Sequence, residues 1–213
     1  MQITPELIES FVSGVVGPVA LFYIKHLIKK RKEEKEKQKS DPVKDSIKSN
    51  ILIDNKIHQI LGDFDADRVW ILQFHNGGNF YPTGKSIHKF SMFYEAVSKH
   101  TFAIREYFQN IPVSLFSRSI NHLVDDDYLK IPDFNASGAD DYGLKYIAYE
   151  YDSKSTYLFS IRAIDDKFVG VLGIDYVKKK RNLSDDEIND LRIEVTSIGG
   201  ELPNHLTHNL PKK

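Results

Sequence analysis

The pattern of apolar and polar positions is clearest between Arg68 and Gly78, which reads Arg-Val-Trp-Ile-Leu-Gln-Phe-His-Asn-Gly-Gly. From Val69 to Phe74 both alternating faces are largely apolar, which is typical of a central strand covered on both sides. The apolar run ends at His75-Asn76-Gly77-Gly78, where Asn-Gly and Gly-Gly favour a sharp turn. A polar turn at the end of a buried strand is a suitable place for a ligand.

Helical spacing of apolar residues predicts two long helices, over 43–61 and 184–202. The second begins with the capping box Ser184-Asp185-Asp186-Glu187, and Gly199, Gly200 and Pro203 should bend or end it. The apolar stripe of 43–61 has two uses, packing on the sheet or pairing with the same helix of a second subunit, and the sequence leaves both open. Two shorter helices are predicted over 101–110 and 115–123.

Five more strands are predicted from apolar runs and period-two alternation. They cover residues 90–97, 128–131, 144–151, 156–164 and 168–176. The last three follow one another at hairpin spacing, which indicates antiparallel pairing. A short helix is the alternative for 90–97, and residues 79–89 are predicted as a loop. The prediction is an α+β domain with an antiparallel sheet flanked by N- and C-terminal helices.

A separate apolar segment of 22 residues, Leu7 to Ile28, carries its only charges, Glu9 and Lys25, near its ends. About 20 helical residues span a bilayer, so a single transmembrane helix is predicted. A cleavable signal carries its basic residues before the apolar run, whereas here they follow it at 29–32. The positive-inside rule then places the rest of the chain in the cytoplasm, on a single-pass protein of the inner membrane. An uncleaved signal sequence and a buried amphipathic helix are the alternatives.

Charge and composition narrow the function further. Residues 29–39 hold seven basic and three acidic side chains in a chain of net charge -1, so the remainder is mildly acidic and gives no electrostatic reason to expect nucleic acid. The absence of cysteine excludes disulfides, thiolate catalysis and cysteine-ligated metal centres. The predicted organisation is a membrane helix (1–28), a charged linker (29–42), one domain (43–202) and a polar tail (203–213).

No motif for catalysis or metal binding stands out. No pair of histidines has metal-ligand spacing, and Asp125-Asp126-Asp127 lacks the continuation of a calcium loop. Gly84-Lys85-Ser86 is only superficially similar to a P-loop, because Asn79 stands where the first glycine belongs. We therefore expect a non-enzymatic protein without a metal or a cofactor.

The order of these elements resembles a GAF domain, the sensory fold of many bacterial signalling proteins. The resemblance rests on the strand Val69 to Phe74, on the hairpin 156–176 with its Gly170-Val171-Leu172 centre, and on the closing helix from Ser184. It covers about residues 43–202, and PAS and other profilin-like domains share much of it. The segment Phe74 to Gly78 also resembles a group of GAF-like proteins from bacteria and phages.

This resemblance implies a sensory or regulatory module that binds a small molecule or a partner protein. The candidate ligand-binding residues are Phe74, His75, Asn76, Gly77, Gly78, Tyr94 and Glu95. Analogy with the fold places the last two on the opposite wall of the site. The alternative for His75 and Asn76 is that they satisfy backbone groups at the turn.

The missing cysteine excludes covalent attachment of a bilin, and the motif of cyclic-nucleotide GAF domains is not found. A partner protein or a second copy of the chain is expected to bind through the helices at 43–61 and 184–202. The competing hypothesis is a structural or assembly scaffold, for example of a phage, that has no small-molecule ligand.

Overall fold

A six-stranded antiparallel sheet is the centre of the domain in this computed structural model. The structure describes residues 17–39, 42–79, 83–138 and 142–202. The chain divides into two units, residues 1–45 and residues 46–213, and every described strand belongs to the second.

The first unit contains helix α1, Gly17–Lys39. The predicted linker is thus helical up to Lys39, in keeping with the good helix propensity of its Lys and Glu residues. No helix in the described part of the chain is long and apolar enough to cross a membrane. Residues 7–16 of the predicted membrane segment lie outside the described residues, so an anchor at 7–28 stays a prediction.

The strands form one sheet in which all neighbouring pairs are antiparallel. Their bounds are β1 Arg68–Asn79, β2 Ser86–Val97, β3 Ile111–Pro112, β4 Tyr128–Ile131, β5 Ser155–Arg162 and β6 Phe168–Tyr176. The order across the sheet is β3-β2-β1-β6-β5-β4, so β1 is central and β4 lies at an edge. The predicted strands at 90–97 and 128–131 and the antiparallel pair predicted at 156–164 and 168–176, here β5 and β6, are confirmed.

Four further helices in the described part of the chain pack around or precede this sheet. They are α2 Pro42–Asp63, α3 Ser117–Asp125, α4 Lys145–Glu150 and α5 Asp185–Glu201. The two long predicted helices are confirmed as α2 and α5, and Ser184 caps α5 through the predicted capping box. Helix α5 ends at Glu201, directly after Gly199 and Gly200, as predicted. Gly199 also serves a close approach, because an added Cβ would lie 2.1 Å from the Arg162 carbonyl oxygen. The predicted tail 203–213 lies outside the described residues.

Both faces of the sheet are covered, as the two-sided apolar pattern of β1 predicts. Helices α2 and α5 cover one face and form the helix-side core, in which Val69 and Ile71 are fully buried. Helices α3 and α4, with the segments that connect them, cover the other face and form the loop-side core around Trp70 and Leu72. The period of two therefore divides the side chains of β1 between two separate cores.

The strand predicted at 144–151 is wrong, because this segment forms helix α4. Leu144, Ile147, Ala148 and Tyr151 recur at a spacing of three and four residues and all face the loop-side core. That spacing is helical, and burial of one helical stripe outweighs the β propensity of the tyrosines and the isoleucine. The predicted triple-stranded hairpin is thus a two-stranded one.

The helix predicted at 101–110 is also wrong, since only the 3-10 turn Arg105–Tyr107 forms there. The backbone N–H groups of Ile104 and Arg105 donate to the Glu95 carboxylate at 2.7 and 2.9 Å, and not to helical carbonyls. The helix predicted at 115–123 is confirmed as the 3-10 turn Val113–Phe116 followed by α3.

The sharp turn predicted at His75–Gly78 is wrong as well, and the loop predicted at 79–89 is too long, because β2 already begins at Ser86 while residues 83–85 are outside the strands and 80–82 lie outside the described residues. Strand β1 continues to Asn79, and His75 and Asn76 stay in register with Lys89 and His88 of β2. Pairing with β2 supplies the backbone partners that a turn would otherwise provide. The glycines accommodate a register shift, and Gly78 adopts a φ of +96° that strongly favours glycine.

Candidate functional site

A cavity of about 70 Å³ lies in the loop-side core, between the sheet and helices α3 and α4. Its walls are mainly aromatic and aliphatic. The aromatic side chains that line it are Trp70, Phe90, Phe108, Phe116, Phe134 and Tyr151. Arg68, Thr156 and Asp175 line the same cavity, so an apolar chamber meets a charged group of residues at the sheet.

The register of the sheet assembles this charged group. Asp175 of β6 is the cross-strand partner of both Arg68 on β1 and Thr156 on β5. Its carboxylate accepts hydrogen bonds from Arg68 Nη1 at 3.0 Å, from the Trp70 indole at 2.9 Å and from the Thr156 hydroxyl at 2.7 Å. Arg68 is only 1% exposed and Asp175 only 4% exposed, so the pair is removed from water. Buried ions of this kind persist only when they are paired and hydrogen-bonded.

A second layer of contacts holds the guanidinium of Arg68 from behind. Its Nε and Nη2 groups donate to the Phe102 carbonyl oxygen at 3.2 and 2.9 Å. Glu95 lies 3.7 Å from Arg68 Nε, and its carboxylate also accepts the two backbone N–H groups of Ile104 and Arg105. The segment from Phe102 to Arg105 is thereby tied to the buried arginine.

Aromatic rings connect this region with the protein surface. Phe102 and Tyr107 lie 5.9 Å apart between ring centroids, Tyr107 and Tyr151 lie 6.0 Å apart, and Phe108 and Tyr151 lie 5.6 Å apart. Burial, with a smaller effect of the Glu150 carboxylate, raises the pKa of the Tyr151 hydroxyl above its ordinary value, so this phenol stays neutral near pH 7. Tyr151 and Phe108 also line the cavity, so the aromatic row reaches its interior.

The sequence-predicted residues Phe74 to Gly78 do not line this cavity. Phe74 packs edge-on against Phe168 at 4.9 Å. His75 Nε2 lies 3.0 Å from the Ser91 hydroxyl, and the Asn76 side-chain oxygen accepts from the Gly78 N–H at 3.0 Å. Asn76 thus accepts from a backbone N–H group nearby, in keeping with the structural alternative, whereas the main partner of His75 is a side-chain hydroxyl of β2.

Tyr94 and Glu95 are separated from that segment and from each other. Tyr94 packs against the helix-side core, and its hydroxyl donates to Asn50 of α2. Burial and the nearby Asp54 carboxylate raise its pKa. Glu95 lies on the other face and, of the seven predicted residues, is the one that contacts the charged group at the cavity. The structure therefore does not bring the predicted site together.

Sequence reasoning missed Arg68, Thr156 and Asp175. A signal for two of them was present, because Arg68 opens the most apolar strand of the chain and Asp175 interrupts the apolar run of β6. A charge inside a strand that is covered on both faces needs a buried partner. Among the described residues, no group of three His, Asp or Glu side chains is arranged to hold a metal ion.

The sequence matches no family model, and it matches no curated protein. Solved structures are similar in fold. The photoproduct state of GAF3 from Slr1393 of Synechocystis sp. PCC6803 has a TM-score of 0.58 at 14% identity, covering 74% of this chain and 95% of that one. The blue-light absorbing form of the Thermosynechococcus elongatus PixJ GAF domain has a TM-score of 0.58 at 13% identity, covering 77% and 89%.

A third similar structure is the phycocyanobilin-bound GAF domain from a cyanobacterial phytochrome, with a TM-score of 0.58 at 16% identity, covering 85% of this chain and 95% of that one. The fold of this chain is therefore a GAF-like α+β fold, as the sequence resemblance implies. At these identities the similarity establishes the fold alone.

Proposed function

We propose that this chain is a non-enzymatic sensory or regulatory module whose GAF-like domain binds a small molecule in the loop-side cavity. The observation that carries the proposal is an aromatic chamber that ends on the buried Arg68–Asp175 pair. A pocket with apolar walls and a few convergent polar groups is the usual form of a small-molecule site. The phycocyanobilin-bound GAF domain is an example of such binding in a similar fold.

The size of the cavity indicates a small ligand. Pockets for drug-sized ligands enclose about 300–1,000 Å³. The cavity here has about 70 Å³, and the chain has no cysteine for covalent attachment. A smaller and non-covalently bound ligand is the better fit.

The test fills the cavity without touching the charged group. Ala148 of α4 lines the cavity and is buried, whereas Ala103 is exposed, so Ala148→Leu and Ala103→Leu make the same change in two environments. We expect fragments that stabilise the wild type in a thermal-shift screen to stabilise Ala103→Leu equally and Ala148→Leu at least about tenfold more weakly in Kd. Equal binding by the wild type and both variants would show that the cavity is not the binding site.

We extend the proposal to the location of the protein: residues 7–28 anchor it in the inner membrane, with the domain in the cytoplasm. The length and low charge of that segment support this. Lysines at two central positions, Val15→Lys and Val19→Lys together, should move the protein from the carbonate-resistant membrane fraction to the soluble fraction. An unchanged distribution of the double variant would contradict the anchor.

An alternative function, assembly through protein–protein contacts, is favoured by one surface of the domain. An open groove beside α2 is lined by Ile47, Ile51 and Phe93, each at least half exposed, together with Asp54 and Arg105. Because the groove carries both an acid and a base, two copies can pair these charges reciprocally across a two-fold axis, and we propose a second copy of this chain as its occupant.

Light scattering after gel filtration tests that assembly. The variant Ile51→Glu should shift the protein from dimer to monomer, because it places a charge in the apolar centre of the contact. Ile164→Glu changes an isoleucine that is 90% exposed on the β5–β6 turn and serves as the control. A wild-type protein that is monomeric at high micromolar concentration would exclude the dimer.

A further inference from the structure

The loop-side cavity also restricts the chemistry of its occupant. Resting on the function proposed above, we infer that the ligand is an uncharged molecule of about five heavy atoms, with an apolar body and one amide-like group that both donates and accepts hydrogen bonds.

The size limit follows from the volume of the chamber. An engineered cavity of about 150 Å³ lined by aliphatic and aromatic side chains accepts benzene, which has six heavy atoms, and xenon. The cavity here has about 70 Å³. A short aliphatic molecule or a single xenon atom is therefore closer to the right size than an aromatic ring system.

The polar group of the ligand follows from the hydrogen bonds that the charged group leaves open. A guanidinium has five N–H groups, and a carboxylate oxygen accepts up to two hydrogen bonds. In the described part of the chain, Arg68 uses Nε, one N–H of Nη1 and one N–H of Nη2. Asp175 Oδ1 accepts only from Thr156. Two N–H donors and one acceptor position thus stay open on two residues that line the cavity, and an amide offers both complementary groups.

The charge of the ligand follows from the pairing of these two residues. The part of the group that lines the cavity, Arg68 with Asp175, is neutral as a pair. Glu95 does not line the cavity, and its carboxylate is held behind Arg68 by two backbone N–H groups. A charged ligand would therefore add an unpaired ion to a buried site, which costs free energy.

The test compares molecules of nearly the same shape. Propionamide is neutral and both donates and accepts, butanone is its neutral isostere without the donor, and propionate and propylammonium carry a negative and a positive charge. The readout is the indole N–H resonance of Trp70, because the chain has one tryptophan and its ring lines the cavity. Xenon is the probe for an accessible apolar chamber.

We expect propionamide to bind the full-length protein at least about tenfold more tightly than butanone, and both to bind more tightly than either ion. Tighter or equal binding of propionate or propylammonium would overturn the inferred ligand class and leave the cavity as a binding site. A response of Trp70 to xenon without a response to propionamide would overturn it as well. No response to xenon or to any of the four molecules would overturn both this inference and the proposed function.

Discussion

Gly173 lets the indole of Trp70 lie directly against strand β6. The two residues are cross-strand partners, and a Cβ on Gly173 would lie 2.0 Å from the Trp70 ring. With glycine at this position, the ring lies flat enough for its N–H to donate to Asp175 at 2.9 Å. One wall of the cavity and one hydrogen bond of its charged group therefore depend on a missing side chain.

The substitution Gly173→Ala should displace the indole and lower the free energy of unfolding by about 1–3 kcal/mol, the usual cost of overpacking a core. Urea denaturation measures the loss, and a shift in Trp70 fluorescence reports the moved ring. Gly62→Ala is the control, because nothing lies within 4 Å of a Cβ there and alanine favours the helix. If Gly173→Ala is as stable as the wild type, the close contact with Trp70 does not require glycine at this position.

Asp67 is a residue where stability should depend on pH. Its carboxylate accepts from the backbone N–H groups of Val177 and Lys178, from the Lys178 ammonium and from the Ser98 hydroxyl. Burial alone would raise its pKa, but these four contacts outweigh burial and hold the pKa below the ordinary value of 3.8. A lowered pKa stabilises the fold above pH 4, and this contribution is lost as the pH falls through the folded-state pKa.

We therefore expect Asp67→Asn to lower the free energy of unfolding by about 1–3 kcal/mol at pH 7, as for other buried hydrogen-bonded groups. The difference from the wild type should shrink between pH 4 and pH 2. Denaturation curves at several pH values measure both effects, with Asp165→Asn on the exposed β5–β6 turn as the control. A difference that does not change with pH would contradict the assigned role of the carboxylate.

The sequence predicts which side chains are buried better than it predicts which side chains they bond to. The apolar faces of β1 are read correctly from their period of two, because burial depends on local alternation. The role of His75 depends on Ser91, and that of Asp175 depends on Arg68, more than 100 positions away. Such pairs arise from sheet register, which a single sequence does not contain.

At the scale of elements, the hydrogen bonds of its first turn determine where helix α5 begins. The Glu187 N–H donates to the Ser184 hydroxyl at 3.2 Å, and the Ser184 N–H donates back to the Glu187 carboxylate at 2.8 Å. The backbone N–H of Ser184, together with Arg181, lowers the pKa of Glu187. The capping box was visible in the sequence because all of its groups lie within four residues.

Replacing the cap, Ser184→Ala, should lower the free energy of unfolding by about 1 kcal/mol, the typical value for an N-cap serine. Ser197→Ala is the matched control on the exposed face of the same helix, where alanine should be neutral or slightly stabilising. Urea denaturation distinguishes the two. Equal stability of both variants would mean that packing alone determines where α5 begins.

Helix α4 shows why short elements are harder to predict than long ones. Its six residues carry the helical stripe that packs on the loop-side core, but six residues also fit a strand of the same composition. In α2 and α5 the stripe repeats over several turns and leaves no such choice.

Because α4 has few backbone hydrogen bonds and covers the cavity, its amides should exchange with solvent faster than those of β5. The relevant groups are the N–H of Ala148, bonded to Leu144, and that of Tyr151, bonded to Ile147. Hydrogen exchange followed by NMR compares them with Phe159, whose strand β5 is paired on both sides, with β4 and β6. Slower exchange in α4 than in β5 would contradict the expectation that α4 opens more readily than the sheet.

At the scale of the whole molecule, the two cores differ in their packing, because one of them contains a cavity. The helix-side core packs two long helices on the sheet. The loop-side core is built from short helices and connecting segments and contains the aromatic cavity beside the buried ion pair. The GAF-like fold thus provides a stable support on one face of the sheet and a chamber on the other.

The distribution of charge on the domain supports a small-molecule site over a polyanion site. Residues 178–181 form a run of four basic side chains that resembles a phosphate-binding patch in the sequence. Each is paired with an acid of the same domain, namely Asp67, Asp65, Asp133 and Glu187 in order. Paired cations offer little attraction to a phosphate backbone, so we continue to expect no nucleic acid as a partner.

The most direct test of the central claim is an NMR map of the residues whose amide resonances move when a small uncharged fragment binds. We predict that the shifts cluster at the cavity, on the Trp70 indole and on the amides of Ser119, Ala148 and Thr156. Shifts confined to His75–Gly78, or none at any fragment concentration, would contradict a binding site between the sheet and helices α3 and α4.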